Sequence, residues 1–152
     1  MPKKQDKQPT AEMIAGECLA VRVRALNRVV TSLYDEALRP HGLRVGQLNL
    51  LVAVARLGTA RPGDLCQVLR MEKSTLSRDI EVMRRNGWLE VVEGGGRARP
   101  VRLSPTGHAL LERVVPAWRR AQEQARRLLG DDGSEAVMTL ARRLGTGDTP
   151  GL

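Results

Sequence analysis

The sequence has few of the side chains from which catalytic and metal sites are built. Its 152 residues include two cysteines, Cys18 and Cys66, and two histidines, His41 and His108. Two cysteines are too few for a disulfide scaffold and fit a reducing compartment. No cysteine–histidine cluster has the spacing of metal ligands, and no nucleophile, base and orienting group can be assembled. We therefore expect no metal, no cofactor and no enzymatic activity.

Long apolar runs are missing as well. No segment is long and apolar enough to cross a bilayer, and the lysine-rich start does not lead into the apolar core of a signal peptide. We interpret residues 1–10 as a flexible basic arm and residues 145–152 as a flexible tail. The expected location is the cytoplasm, without a membrane partner.

Positive charge, by contrast, is abundant. Lysine and arginine number 25 against 17 acidic residues, which gives a formal net charge of +8. Such an excess indicates an acidic partner, most often nucleic acid. The apolar fraction of 41% is enough for a packed core, and the length suits one domain. Charge alone leaves open a protein that is merely basic and soluble, so the placement of the cations has to decide.

Residues 71–104 place several cations on a helix followed by a hairpin. Leu76, Ile80 and Met83 recur at steps of four and three and predict the buried face of a helix that starts near Glu72. A preceding helix would brace it across the DNA backbone. Small polar and cationic side chains, which suit base edges and phosphates, lie mostly on the opposite face. The residues expected to contact DNA are Lys73, Ser74, Thr75, Ser77 and Arg78.

The hairpin has a glycine-rich tip with arginines. Three consecutive glycines at 94–96 permit almost any turn, and Arg97 and Arg99 can reach the negative potential of a minor groove. Arg61 and Arg84 are further candidates for backbone contact. Each piece alone fits a solvated surface helix or hairpin. The order of the pieces favours DNA binding.

Long apolar stripes run along both ends of the chain. The spacing predicts one helix over residues 11–38, another over 105–129 with a kink at Pro116, and a last helix from Asp132. A small core cannot cover these stripes, so we expect two chains to pair across a two-fold axis. The alternative is that the end helices pack on each other within one chain. The expected interface residues are Leu19, Val23, Leu26, Val137, Leu140 and Leu144.

Taken in this order, the segments resemble the multiple-antibiotic-resistance (MarR) family of regulators. The resemblance covers most of the chain and is strongest at residues 43–48, 65–69, 73–78, 87–89 and 103–107. It implies a mainly α fold with a small β-hairpin wing, known as a winged helix–turn–helix.

The resemblance also implies an organisation. One domain would span residues 11–144, with a DNA-binding lobe at 44–104 and dimerisation helices at 11–39 and 105–144. The function implied is that of a bacterial homodimeric transcriptional regulator that binds a palindromic double-stranded operator. Repression, relieved by a small aromatic or anionic effector, is the mode that the resemblance implies.

The family's wing arginine falls on Arg97. Relatives usually carry an aspartate two residues earlier, where this chain has Gly95. We therefore expect a more mobile wing, and the choice between Arg97 and Arg99 as the inserted residue stays open.

Two alternatives accompany this interpretation. Cys18 falls near the reactive cysteine of peroxide-sensing relatives, which suggests redox regulation. However, the tyrosines of that branch are absent, since the only tyrosine is Tyr34, so an inert buried thiol is favoured. The other alternative is a non-specific architectural DNA-binding protein, which would not need a serine-rich face.

Overall fold

The computed structural model describes residues 8–94 and 96–145, and these form six α-helices and one hairpin. The helices are α1 (Gln8–Glu17), α2 (Leu19–Leu38), α3 (Val45–Leu57), α4 (Pro62–Leu69), α5 (Lys73–Arg85) and α6 (Pro105–Arg143). Strands β1 (Leu89–Val91) and β2 (Val101–Leu103) pair antiparallel, with Leu89 opposite Leu103. The predicted mainly helical fold with a hairpin wing is confirmed. Most of the expected arm (1–7) and tail (146–152) lies outside the described residues.

The single helix predicted over residues 11–38 is wrong, because the chain is extended at Cys18. Its φ of −68° and ψ of 111° separate α1 from α2. Near the end of α1, the carbonyl oxygens of Ala15 and Gly16 accept hydrogen bonds from the Arg22 guanidinium at 2.7 and 2.9 Å. Such a cap satisfies acceptors that a helix end leaves without partners. The apolar spacing did not reveal the break because it continues on both sides.

The two helices predicted after the hairpin form one run, α6, with a kink at Gly130. Gly130 has φ 70° and ψ 171°, and it is the residue with non-helical torsions inside this run. The expected boundary between residues 129 and 132 therefore exists, as a kink at a position where a side chain would be strained. The kink predicted at Pro116 is absent from the backbone torsions, and the helix continues through this residue.

The core lies between α3, α4, α5, the hairpin and the first half of α6. Leu76 and Met83 are fully buried and Ile80 packs against the same cluster, which confirms the predicted buried face of α5. These contacts fix α5 to the body and direct its opposite face to solvent. Other large side chains that are fully buried are Leu38, Leu50, Leu51, Leu65 and Leu110.

The terminal helices meet each other only in part. α2 packs along α6 through its C-terminal half, where Leu38 is buried and the hydroxyl of Tyr34 donates to the side-chain oxygen of Gln122. Burial raises the pKa of Tyr34, while the nearby Arg126 acts in the opposite direction. Residues 19–29 of α2 are exposed. In the described part of the chain, no helix combines the length and apolarity needed to span a membrane.

A tight joint connects the end of α5 to the start of α6. The Ser104 side-chain oxygen accepts from the Gly107 N–H at 2.9 Å and donates to the carbonyl oxygen of Gly87. The Ser104 N–H donates to the carbonyl oxygen of Trp88 at 3.0 Å. A Cβ at Gly107 would lie 2.2 Å from that same Trp88 oxygen, so only glycine fits. The joint sets the direction in which α6 leaves the hairpin.

Candidate nucleic-acid interface

The reading face, which consists of the five residues predicted to contact DNA from α5, points into solvent. The helix starts after the extended Glu72, and Leu76 anchors its first turns at 1% exposure. With that side buried, the helical spacing turns the small hydroxyl side chains outward. The five exposed residues are Lys73, Ser74, Thr75, Ser77 and Arg78.

The two cations of the reading face form no ion pair with a described residue. Arg78 turns back along its own helix, where its Nε donates to the carbonyl oxygen of Ser74 at 3.3 Å. Among the ion pairs within 4 Å in residues 8–94 and 96–145, none includes Arg78 or Lys73. Both charges are therefore available to an external anion.

The wing, residues 89–103, is held firmly at its base. Glu90 and Arg102 face each other across the hairpin and form an ion pair at 3.1 Å. The backbone of Ala60, just before α4, pairs with Val101 through two N–H···O bonds of 2.8 Å. This extra bridge ties the wing to the segment that leads into the helix–turn–helix, so hairpin and helices keep a fixed relation.

The wing tip carries both predicted arginines on its surface. A short 3-10 turn, Gly96–Ala98, contains Arg97, and Arg99 follows with φ 40°. Left-handed backbone is uncommon for a residue other than glycine. Both side chains are exposed, and neither takes part in an ion pair within the described residues. Gly95, where relatives carry the aspartate, lies outside the described residues, so the mobile wing stays a prediction.

A groove of about 880 Å³ separates α5 from the wing. Its apolar lining includes Leu76, Ile80 and Val101, and its acidic residues are Asp64 and Glu81. Five cations line it, including Arg61, which is exposed and immediately precedes α4. The full set is Arg61, Lys73, Arg84, Arg97 and Arg99. The structure therefore brings most of the predicted DNA contacts to one groove, while Ser74, Thr75 and Arg78 lie outside its lining.

Glu81 was missed by sequence reasoning as a partner of the predicted contact Arg84. Its Oε2 accepts from Arg84 Nε at 3.0 Å, and its Oε1 accepts from Arg84 Nη2 at 3.0 Å and from Arg85 Nε at 3.1 Å. These bonds lower the pKa of Glu81 to about 2. The signal was in the sequence, because residues three and four apart are neighbours on a helix.

A second missed contact joins the helix–turn–helix to the far end of α6. Arg70, in the turn between α4 and α5, has φ 50° and donates from Nη2 to the carbonyl oxygen of Leu144 at 2.6 Å. A separation of 74 residues gives no local pattern from which this contact could be predicted.

The predicted interface residues are exposed on α2 and at the end of α6. Leu19 is 79% exposed and Val23 is 63% exposed, whereas residues of this type are usually buried. We call the six residues the terminal stripe: Leu19, Val23, Leu26, Val137, Leu140 and Leu144. Within one chain, the contacts between α2 and α6 leave this stripe uncovered.

The two cysteines are free thiols in different settings. Cys18 is partly buried at the break between α1 and α2, and Cys66 packs against the core and lines the groove. Within residues 8–94 and 96–145, no three histidine, cysteine or acidic side chains lie close enough to hold a metal ion.

One part of the chain matches a known protein family in sequence. Residues 41–99 match the family model described as the MarR family. This segment runs from the turn before α3 to the wing tip, so it includes the reading face and most of the groove. No curated protein matches the chain in sequence.

Solved structures with the same fold cover nearly the whole domain. A mutant of MarR from E. coli complexed with operator DNA has a TM-score of 0.75 at 19% identity, covering 86% of this chain and 96% of its own. A probable transcriptional regulator from Pseudomonas aeruginosa has a TM-score of 0.75 at 24% identity, covering 86% and 98%. BpsR from Bordetella bronchiseptica, whose DNA binding is regulated by 6-hydroxynicotinic acid, has a TM-score of 0.73 at 21% identity, covering 85% and 95%.

Proposed function

We propose that the chain is a MarR-type homodimeric transcriptional regulator that binds a specific double-stranded DNA site. The observation that carries the proposal is the arrangement around the groove. A helix with small polar side chains lies on one side, arginines on a thin hairpin lie on the other, and four of the five lining cations have no acidic partner among the described residues.

The chemistry of this arrangement suits duplex DNA. Serine and threonine are short enough to let α5 approach base edges, and Arg78 can donate two hydrogen bonds to a guanine. Cations that lack a protein partner contact phosphates and release counterions. The wing arginines are the right type of residue for an adjacent minor groove. The related E. coli protein was solved with operator DNA, which fits this use of the fold.

The exposed terminal stripe supports the proposal of a homodimer. Burying an apolar side chain contributes about 1.5–3 kcal/mol, and a two-fold pairing would cover the same residues on both chains. Such pairing would also present two reading faces to one side of a duplex. Half-sites about 34 Å apart, or one turn of DNA, are the expected spacing.

Selection from a random duplex library tests the proposal directly. We expect an enriched inverted repeat whose half-sites are centred about 10 base pairs apart. In a salt titration, this site should stay bound after random DNA has dissociated. If no sequence is enriched and both DNAs dissociate at the same salt concentration, the protein is a non-specific architectural binder instead.

The variant Arg78→Ala tests whether the reading face specifies the sequence. If Arg78 reads a base, affinity for the selected site should fall by about 1–3 kcal/mol, and the preference at one position should relax. Arg113→Ala is the matched control, because Arg113 is an exposed arginine on α6 that does not line the groove. Equal weakening on all sequences would reassign Arg78 to phosphate contact.

We further propose repression that is relieved by a small aromatic carboxylate. A polar surface cavity of about 760 Å³ lies between α2 and the start of α3. Its charged lining residues are three arginines, Arg28, Arg39 and Arg44, and two acidic residues, Asp35 and Glu36. BpsR, with the same fold, responds to 6-hydroxynicotinic acid. Titrating this acid and benzoate into the DNA complex should release DNA, and Arg44→Ala should raise the concentration required. A reporter gene behind the selected site should be expressed more strongly when the regulator is deleted.

A further inference from the structure

The cations near the reading face differ in whether a carboxylate of the protein pairs with them. Lys73, Arg97 and Arg99 have no ion pair within the described residues, whereas Arg84 is bound side-on by both oxygens of one carboxylate. The same carboxylate also accepts from Arg85. Of the two acidic residues that line the groove, Glu81 is therefore the one that neutralises cations of the recognition helix.

We propose that Glu81 determines specificity by withholding Arg84 and Arg85 from DNA phosphates, so that binding to random DNA stays weak. This inference rests on the proposed function of the same groove. The three groups carry a combined charge of +1 instead of the +2 that the two arginines would present alone. Three guanidinium N–H donors point at Glu81, and they must leave it before they can reach a phosphate with the same atoms.

Charge of this kind matters most for random DNA. Binding without sequence preference depends on phosphate contacts, and each contact steepens the slope of log K against log salt by about 0.9. In the specific complex, base contacts from the reading face hold α5 in one position on the duplex, so freed guanidinium groups can bond only to phosphates within reach of that position. On random DNA the protein can shift until these groups meet a phosphate. Loss of the carboxylate should therefore strengthen the random complex more than the specific one, and the ratio of the two affinities should fall.

The carboxylate is ionised throughout the neutral range, since its pKa lies at about 2. It is also solvent-accessible, at 43% side-chain exposure, so an approaching phosphate can come close to it. The carboxylate also repels phosphates directly. This repulsion and its hydrogen bonds to the two arginines both weaken binding to random DNA.

The test is Glu81→Gln, with affinities for the selected site and for random duplex DNA measured across a salt series. Glutamine keeps the size of the side chain and removes the charge. We expect the slope on random DNA to steepen by about 0.9, which corresponds to about eightfold tighter binding at about 0.1 M salt. The gain on the selected site should be smaller, and thermal unfolding followed by circular dichroism should show that the variant is folded.

Two comparisons isolate the cause. Glu123→Gln makes the same change of net charge in a similar pair, because Glu123 bonds Arg127 four residues on along α6 and lies outside the groove. It should leave the slope on random DNA unchanged. The second comparison places Glu81→Gln in an Arg84→Gln, Arg85→Gln background. In that background, Glu81→Gln should change the slope on random DNA much less than in the wild-type protein if Glu81 acts through the two guanidinium groups.

Each outcome decides the matter. An unchanged slope, a slope change equal to that of Glu123→Gln, weaker binding to random DNA, or an equal gain on the selected site and on random DNA overturns the inference. Weaker binding would mean that Glu81 orients Arg84 towards a phosphate. If the wild-type protein binds random DNA but selects no sequence, the proposed specific regulator fails, while the effect of Glu81 on the random slope is still read separately. A wild-type protein that binds no DNA overturns both.

Discussion

Leucine side chains differ in exposure between the lobe, which runs from Val45 to Leu103, and the outer parts of the terminal helices. In the lobe, Leu50 is 0% exposed and packs inside a cluster shared by helices and hairpin. On the terminal helices, Leu140 is 52% exposed although it lies on a stripe of the same helical spacing. Most leucines of the lobe are buried in one cluster together with Leu38 and Leu110 of the terminal helices, whereas residues 19–29 and the end of α6 lie outside that cluster.

The difference shows that helical periodicity identifies an apolar face without identifying what covers it. α3, α4 and α5 are short and joined by tight turns, so their apolar faces meet each other within one chain. Residues 19–29 of α2 and the end of α6 run past the edge of that core, where the described part of the chain leaves their apolar residues exposed. A second copy supplies the missing surface in our proposal.

Leu50→Ala should give the largest effect in this comparison. Removing a fully buried leucine leaves a cavity, and the free energy of unfolding should fall by about 2–5 kcal/mol. Chemical denaturation measures this change in unfolding free energy. At concentrations where the protein is monomeric, the change should not depend on protein concentration. A loss below about 1 kcal/mol would contradict a closed, well-packed lobe.

Leu140→Ala makes the same change of side chain on the terminal stripe. Because Leu140 is half exposed in the single chain, monomer stability should change by less than about 0.5 kcal/mol. Dimer formation should weaken, by up to about 1.5–3 kcal/mol for each copy of the side chain that is fully buried. Sedimentation at several concentrations measures the shift. An unchanged dimer would show that this part of the stripe is covered by something else.

Gly107→Ala tests the joint between the two regions. The new Cβ would lie 2.2 Å from the Trp88 carbonyl oxygen, so backbone must move. We expect a loss of about 1–3 kcal/mol in unfolding free energy, as for other overpacked sites. Gly46→Ala is the control, because Gly46 lies in α3 with nothing within 4 Å of its Cβ position. That change should be neutral or stabilising by up to about 1 kcal/mol.

The smallest effect concerns pH and Glu81. Its pKa falls from the ordinary 4.5 to about 2 because it accepts hydrogen bonds from Arg84 and Arg85. A lowered carboxyl pKa means that the pair contributes its stability above pH 4.5 and loses it as the pH falls through about 2. Stability from this pair should be flat between pH 5 and 8. Titration of the Glu81 carboxyl carbon by NMR should show a midpoint nearer 2 than 4.5.

Local patterns predicted the lobe because its determinants are local. The spacing of Leu76 and Met83, the glycines of the wing, and Ser104 followed by a proline all act within a few residues. The break at Cys18 was missed because its stabilising cap comes from Arg22 on the next helix, with no proline to mark it. The bond from Arg70 to Leu144 depends on the folded path of α6, which no short pattern encodes.

The match to the family model, residues 41–99, lies almost entirely in the lobe and leaves out the terminal helices. The matched segment is the part whose side chains must satisfy one another and, in our proposal, DNA. The terminal helices need only present apolar residues at a suitable spacing, and many sequences meet that requirement. The pairing of these helices is therefore easier to predict from the sequence than the positions of their breaks and their individual contacts.

The joint at Ser104 and Gly107 fixes one end of α6, so a small rotation there would displace the other end. From Pro105 to the kink at Gly130 the helix runs for about 37 Å, and its short arm is bonded to the loop that ends α5. A tilt of one degree about that joint would move the far end by about 0.6 Å over this length. Conversely, a displacement of about 0.6 Å at Gly130 would correspond to a rotation of only about one degree at the joint beside the reading face.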